Sequence, residues 1–304
     1  MSVTVPGRMR SCTGTCQAEG VYQERRSAIT GAMVWTSSSE VAGTNRILPD
    51  GCMDLILVNG ALVVSGPDLF ARTSASTGPS LAVGLRLPPG LAPLVFGVGA
   101  HELVGSVTEF AALVGDRRAH LLEEHIRRVS AAPVTNTAPV TNTAPVSNTA
   151  PVTTSAAGEA TMRAVTTRTT GTTDTPGLPS RFLEDEVRQL LVERTGSDVH
   201  HLNDSSHPEL RIPAMLARGL SVADVAAEIG YSPRQLQRRS LEAFGYGTKT
   251  LDAILRFQRA AELLRTGAAL ACIAATAGYA DQSHLSRSIT RFAGVSPTLL
   301  QADL

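Results

Sequence analysis

Cysteine is scarce in this chain: four residues in 304, Cys12, Cys16, Cys52 and Cys272. They are too few and too scattered for a disulfide scaffold, and they read as thiols. No apolar run reaches the roughly eighteen residues that a membrane span requires. The opening MSVTVPGRMRSCTGTCQAEG also lacks the apolar core of a secretion signal. A membrane partner is therefore not expected, and the expected location is the cytoplasm. An excess of either charge is missing too, since Lys+Arg and Asp+Glu each number 27. Net charge alone selects no class of partner. There is no Walker A loop, dinucleotide fingerprint, nucleophile elbow or HExxH. The reading is therefore not an enzyme, with no catalytic residue, cofactor or metal site.

Aromatic residues are absent from positions 131–180, where the only charged residues are Glu159, Arg163, Arg168 and Asp174. From Ala132 a hexapeptide repeats as APVTNT, APVTNT, APVSNT and APVTTS, followed by a Thr-rich stretch. Such a segment buries too little apolar surface to offset its ordering entropy. Residues 131–180 are expected to be a disordered linker, spanning about 40 Å as a flexible coil. A stacked solenoid is the alternative, but the repeat offers no regular large apolar residue. The expected organisation is a disordered N-terminus at 1–19, a β-rich domain at 20–130, the linker, a helix and connector at 181–206, and a helical domain at 207–304. The fold class is multidomain α+β with an all-α C-terminal domain.

In the first domain MDLILV (Met53 to Val58) and ALVVSG (Ala61 to Gly66) flank Asn59-Gly60, a pair suited to the positive φ angles of a type I′ turn. This predicts a β-hairpin, with turn signals at Pro49-Asp50-Gly51 and Gly66-Pro67-Asp68. LAVGLRL (Leu81 to Leu87) alternates like another strand. Ser106 and Glu109 form a capping-box pattern before FAALV, which predicts a helix opening at Ser106. LLEEHIRRV predicts a further helix, and Trp35, the single tryptophan, reads as core.

The second domain writes one pattern twice. VADVAAEIGY (Val222 to Tyr231) is echoed by LACIAATAGY (Leu270 to Tyr279). In each, apolar residues at i, i+3, i+4 and i+7 define one helix face, and a glycine, Gly230 or Gly278, ends it. A second helix then starts at once, capped by Ser232 with Pro233 at N1, or by Asp281. The spacing predicts Leu236 and Leu285 inward and Arg238 and Arg287 outward. Helix, glycine turn and capped helix form a helix-turn-helix unit, and the chain has two.

Arg234, Arg238 and Arg239 crowd the first half of their helix, where the macrodipole disfavours cations by a few tenths of a kcal/mol. A structural helix gains nothing from that placement. A helix entering the major groove gains phosphate and base contacts from it. Arg234, Gln237 and Arg238, together with Gln282, Ser283, Ser286 and Arg287, fit this chemistry. The bland alternative is a solvated charged face on helical hairpins. TLDAILRFQRAAELLR (Thr250 to Arg265) between the units predicts a helix of about 24 Å, which with its flanks sets the two second helices about one DNA turn apart. From His207 onward eleven Lys+Arg oppose eight acids, so affinity depends on where the arginines point.

The motifs LSVADVAAEIGYSPRQLQR and IAATAGYADQSHLSR followed by FAGVSP resemble the AraC/XylS-type DNA-binding domain. The resemblance implies a seven-helix unit over residues 207–304 in a transcription regulator such as an activator, with double-stranded DNA as partner. It implies that Arg234, Gln237, Arg238, Gln282, Ser283, Ser286 and Arg287 face DNA. The family usually has aromatics where this chain has Ser240, Leu285 and Ile289. RILPDGCMDLILVNG followed by VSGPD resembles, less specifically, the sensory domains of some such regulators. This implies an effector or oligomerisation domain, hence a small-molecule effector or a homodimer, with RNA polymerase as a further contact. No effector-binding residue follows. Two other classes are open. One is a repair methyltransferase with Cys12 or Cys16 as acceptor, for which bound zinc would need more ligands than Cys52 adds. The other is an interaction module that binds no DNA. Cys272 reads as a packed small apolar residue.

Overall fold

The computed structural model describes residues 21–39, 41–76, 78–131, 179–197, 202 and 206–304. The expected disordered N-terminus, nearly all of the expected linker and the Cys12/Cys16 pair lie outside the described residues.

The first domain contains strands β1 (Val21–Arg26), β2 (Met33–Ser39), β3 (Gly43–Ile47), β4 (Met53–Val58), β5 (Ala61–Ser65), β6 (Arg72–Ser76), β7 (Ser80–Leu87) and β8 (Val107–Glu109). Six form an antiparallel sheet in the order β1-β2-β7-β4-β5-β8, and β3 pairs with β6 in a separate ribbon. The β4–β5 hairpin turns at Asn59 (φ 51°) and Gly60 (φ 83°), as the sequence predicts. Trp35 is buried against Gly84, its partner across the β2–β7 register; a Cβ there would come within 2.1 Å of the indole. Its Nε1 donates to Asp54 Oδ1 at 2.7 Å, so the polar edge of the ring is satisfied as the body is buried.

Helices α1 (Leu91–Phe96), α2 (Phe110–Val114) and α3 (Asp116–Ala131) follow. The capping box expected at Ser106 is not formed. Ser106 Oγ donates to the Leu103 carbonyl at 2.8 Å, and Val107–Glu109 pair with β5 at the sheet edge. Strand pairing claims the backbone through Glu109, so the helix opens only at Phe110.

Helix α4 (Pro179–Thr195) packs on the first domain. Leu183, Val187, Leu190 and Leu191 join its core with Leu55, Leu85, Val95 and Phe96. Glu184 fastens this return: it accepts from Arg25 Nη2 at 2.7 Å, Ser27 Oγ at 2.5 Å and the Ala28 amide at 3.2 Å. Burial pushes the pKa of this carboxyl up, but the bonds from Arg25 and Ser27 outweigh it and hold the group below the ordinary glutamate range.

The second domain comprises α5 (Ile212–Ala217), α6 (Val222–Glu228), α7 (Pro233–Phe244), α8 (Thr248–Arg265), α9 (Leu270–Ala277), α10 (Gln282–Ala293) and α11 (Pro297–Asp303). The central α8 buries Leu251, Ile254, Phe257, Ala260, Ala261 and Leu264 among the other helices. Ser240 stands at a position where the resembled family has an aromatic. It is fully buried and shares a 2.6 Å hydrogen bond with Thr248 Oγ1, so a hydroxyl pair joins α7 to the start of α8.

Candidate nucleic-acid interface

The two helix pairs, α6–α7 and α9–α10, repeat one local design. Val225 and Ala226 are buried on α6, as are Ile273, Ala274 and Ala277 on α9. Val222, Ile229 and Leu270 are half-buried against the same core. Gly230 (φ 73°) and Gly278 (φ 82°) take the left-handed conformation that turns each chain into its second helix. Ser232 accepts from the Gln235 amide while the Gln235 side chain accepts from the Ser232 amide, a complete capping box. Asp281 caps α10 by accepting from the His284 amide at 2.7 Å. Cys272, expected to be packed, is exposed: the inward stripe of α9 is filled by Ile273, Ala274 and Ala277, and position 272 falls outside it.

Leu236 and Leu285 point into the core and fix the rotation of α7 and α10. Arg234, Gln237 and Arg238 on α7 are consequently exposed, as are Gln282, Ser283 and Arg287 on α10, with Ser286 half-buried. Arg234, Arg238 and Arg287 make no ion pair among the described residues, whereas Arg239 lies 3.4 Å from Glu242 and is partly neutralised. Gln237 is arranged differently from its neighbours. Its amide lies against Gly247, where a Cβ would come within 2.7 Å, so the side chain runs back toward the start of α8. On α10 the ring of Tyr279 braces the first turn: His284 meets it edge-on at 5.1 Å, and its hydroxyl lies 3.0 Å from Ser288 Oγ.

The opposite ends of both helices meet the first domain. Gly245, which ends α7, sits against Val104, Pro67 and the Ala100 carbonyl. At the end of α10, the Ala71 amide donates to the Phe292 carbonyl at 2.6 Å and Arg46 Nη1 to the Ala293 carbonyl at 3.0 Å. The donors satisfy terminal carbonyls that a helix leaves without internal partners. Gln258 Nε2 on α8 donates to the Pro49 carbonyl at 2.6 Å. Sequence reasoning missed this contact surface. Pro49, Gly51, Gly66 and Pro67 were legible only as turn residues, and no pattern distinguishes a turn that faces solvent from one that faces a domain.

Residues 225–302 match the helix-turn-helix domain family, and residues 32–109 match a domain of unknown function, DUF6597. No curated protein matches the chain. Among solved structures, ToxT from Vibrio cholerae is 13% identical, with 90% of this chain and 98% of that chain covered at a TM-score of 0.41. ToxT bound to (E)-4-(8-methylnaphthalen-1-yl)but-3-enoic acid is 12% identical, with 93% and 99% covered and a TM-score of 0.42. A probable AraC family transcriptional regulator from Rhodopseudomonas palustris is 24% identical, with 33% of this chain and 94% of that chain covered and a TM-score of 0.28. The chain thus joins a region that matches DUF6597 to a C-terminal region that matches the helix-turn-helix domain family.

Proposed function

We propose that this chain is a sequence-specific transcription regulator that reads two adjacent major-groove segments with its own two helix-turn-helix units, α6–α7 and α9–α10. The observation that carries the reading is the doubled, capped helix whose outward face bears arginines without an ion pair among the described residues, Arg234 and Arg238 in one copy and Arg287 in the other. In this reading the arginines and the capped helix N-termini fix the domain on phosphates. Arg238 and Arg287, with Gln282, Ser283 and Ser286, contact base edges. Gln237, folded toward Gly247, reaches a base only by changing rotamer. One chain supplies both half-readers, so the target need not be palindromic. The first domain regulates occupancy through an effector or self-association, and contact with RNA polymerase transmits the result to transcription.

The reading is tested by selecting genomic DNA fragments with the full chain and with the Arg238→Ala/Arg287→Ala variant. A two-part motif enriched by the native chain and lost in the variant supports it. Equal, sequence-blind and salt-sensitive retention by both proteins overturns it in favour of an interaction module.

A further inference from the structure

Off the two reading faces, several arginines of the second domain have a local partner. Arg211 and Arg218 lie 3.3 and 3.7 Å from Glu228, and Arg256 pairs with Asp252. Arg291, in the last turn of α10, stands 5.2 Å over the Phe292 ring, at a helix end where the macrodipole favours a cation. Two cations of α8, Lys249 and Arg259, make no ion pair among the described residues. Lys249 is exposed. Arg259 is half-buried, and its buried Nε has no acceptor. A guanidinium N–H shielded from water and left without an acceptor is unfavourable, and the group that relieves it is an anion.

The position of these two cations says which anion. Lys249, Asp252, Arg256 and Arg259 recur at i, i+3, i+7 and i+10, so they share one stripe of α8, about 15 Å long. Three cations against one carboxylate leave the stripe with two uncompensated positive charges. It is distinct from the side that buries Leu251, Ile254, Phe257 and Leu264, and from Gln258, which meets the first domain at the Pro49 carbonyl. Its N-terminal end adjoins the first unit, because Gly247, the N-cap of α8, lies against the Gln237 amide. Its C-terminal half adjoins the second unit. Arg256 Cζ stands 5.8 Å over the Tyr279 ring, which meets His284 of α10 edge-on. Burial pushes the Tyr279 hydroxyl up, while Ser288, Arg256 and Arg259 draw it back, so Arg259 lies within electrostatic reach of the same ring. The stripe therefore runs from one reading helix to the other.

We propose that α8 is a third DNA-contacting element, whose Lys249 and Arg259 bind phosphates of the backbone lying between the two major-groove segments. This rests on the two-unit reading proposed above. Two major-groove segments one helical turn apart on one side of a duplex are separated by a minor groove, and its sugar-phosphate backbones face whatever bridges the two readers. Contacts of this kind carry no sequence information. They fix the register of both readers at once and add affinity on any sequence.

Lys249→Gln and Arg259→Gln in the full chain test this, with circular dichroism confirming that both variants fold. Affinity for the selected duplex and for a scrambled duplex is measured by fluorescence anisotropy over a range of salt concentrations. Each variant should weaken binding to both duplexes by the same factor, roughly three- to tenfold at 0.1 M salt, and reduce the slope of log affinity against log salt by about 0.9. A duplex with neutral methylphosphonates in the intervening backbone should bind the native chain more weakly, and the Lys249→Gln/Arg259→Gln variant no more weakly than the unmodified duplex does. Unchanged affinity and salt slope in both folded variants overturns the proposal, as does a loss confined to the selected duplex or an equal methylphosphonate effect on native chain and double variant. Protection of a single segment per chain refutes the two-unit reading instead, and the salt slopes then decide on their own whether α8 touches phosphate. Absence of DNA binding by the native chain overturns both.

Discussion

At the scale of single residues, the exposed arginines and the buried hydroxyls are expected to behave in opposite ways. Arg238→Ala and Arg287→Ala should each weaken binding to the preferred DNA by about 1–3 kcal/mol while leaving thermal stability within about 0.5 kcal/mol. Fluorescence anisotropy and melting curves on the same preparations check both halves. Ser240→Ala should do the reverse. It leaves the buried Thr248 hydroxyl without its 2.6 Å partner, at a cost of about 1–3 kcal/mol in stability, and Ser240→Ala/Thr248→Val should recover much of the loss. The outward arginines were legible in sequence because Leu236 and Leu285 fix the helical phase. The Ser240–Thr248 bond was not, because nothing local announces a contact between two helices. Gln237 shows the limit from the other side: its position on the helix was correct, but its rotamer depends on Gly247, a residue of the next turn.

At the scale of elements, caps and glycine turns were the most legible features, since each depends on a few neighbouring residues. Ser232 and Asp281 cap as expected, and Gly230 and Gly278 take positive φ. Ser232→Ala should therefore lower stability by about 1 kcal/mol, measured by chemical denaturation. The capping pattern at Ser106 failed for an equally physical reason: an available sheet edge on β5 captured Val107–Glu109 before a helix could start. Helix α4 tells a similar story. Its sequence identifies a helix, but its burial against the first domain depends on partners more than fifty residues earlier in the chain. The Glu184 bonds make this docking sensitive to acid. A carboxyl held below its ordinary range contributes stability that is fully present above the unfolded value of about 4.3 and lost as pH falls through the folded value. Acid unfolding should follow that direction, and Glu184→Gln should lower neutral-pH stability and flatten the acid slope.

At the scale of the whole molecule, the first domain holds the C-terminal ends of both α7 and α10, through Gly245 on α7 and the Phe292 and Ala293 carbonyls on α10. This arrangement links the relative placement of α7 and α10 to the first domain, a relation that no sequence period encodes because its residues come from separate turns. Hydroxyl-radical footprinting of the selected DNA, with the number of bound chains counted in parallel, tests the central claim most directly. One chain should protect two adjacent major-groove segments about one helical turn apart, about 10 base pairs, with Arg238→Ala weakening one segment and Arg287→Ala the other. Protection of a single segment per chain, or two segments only when two chains are bound, would contradict the account.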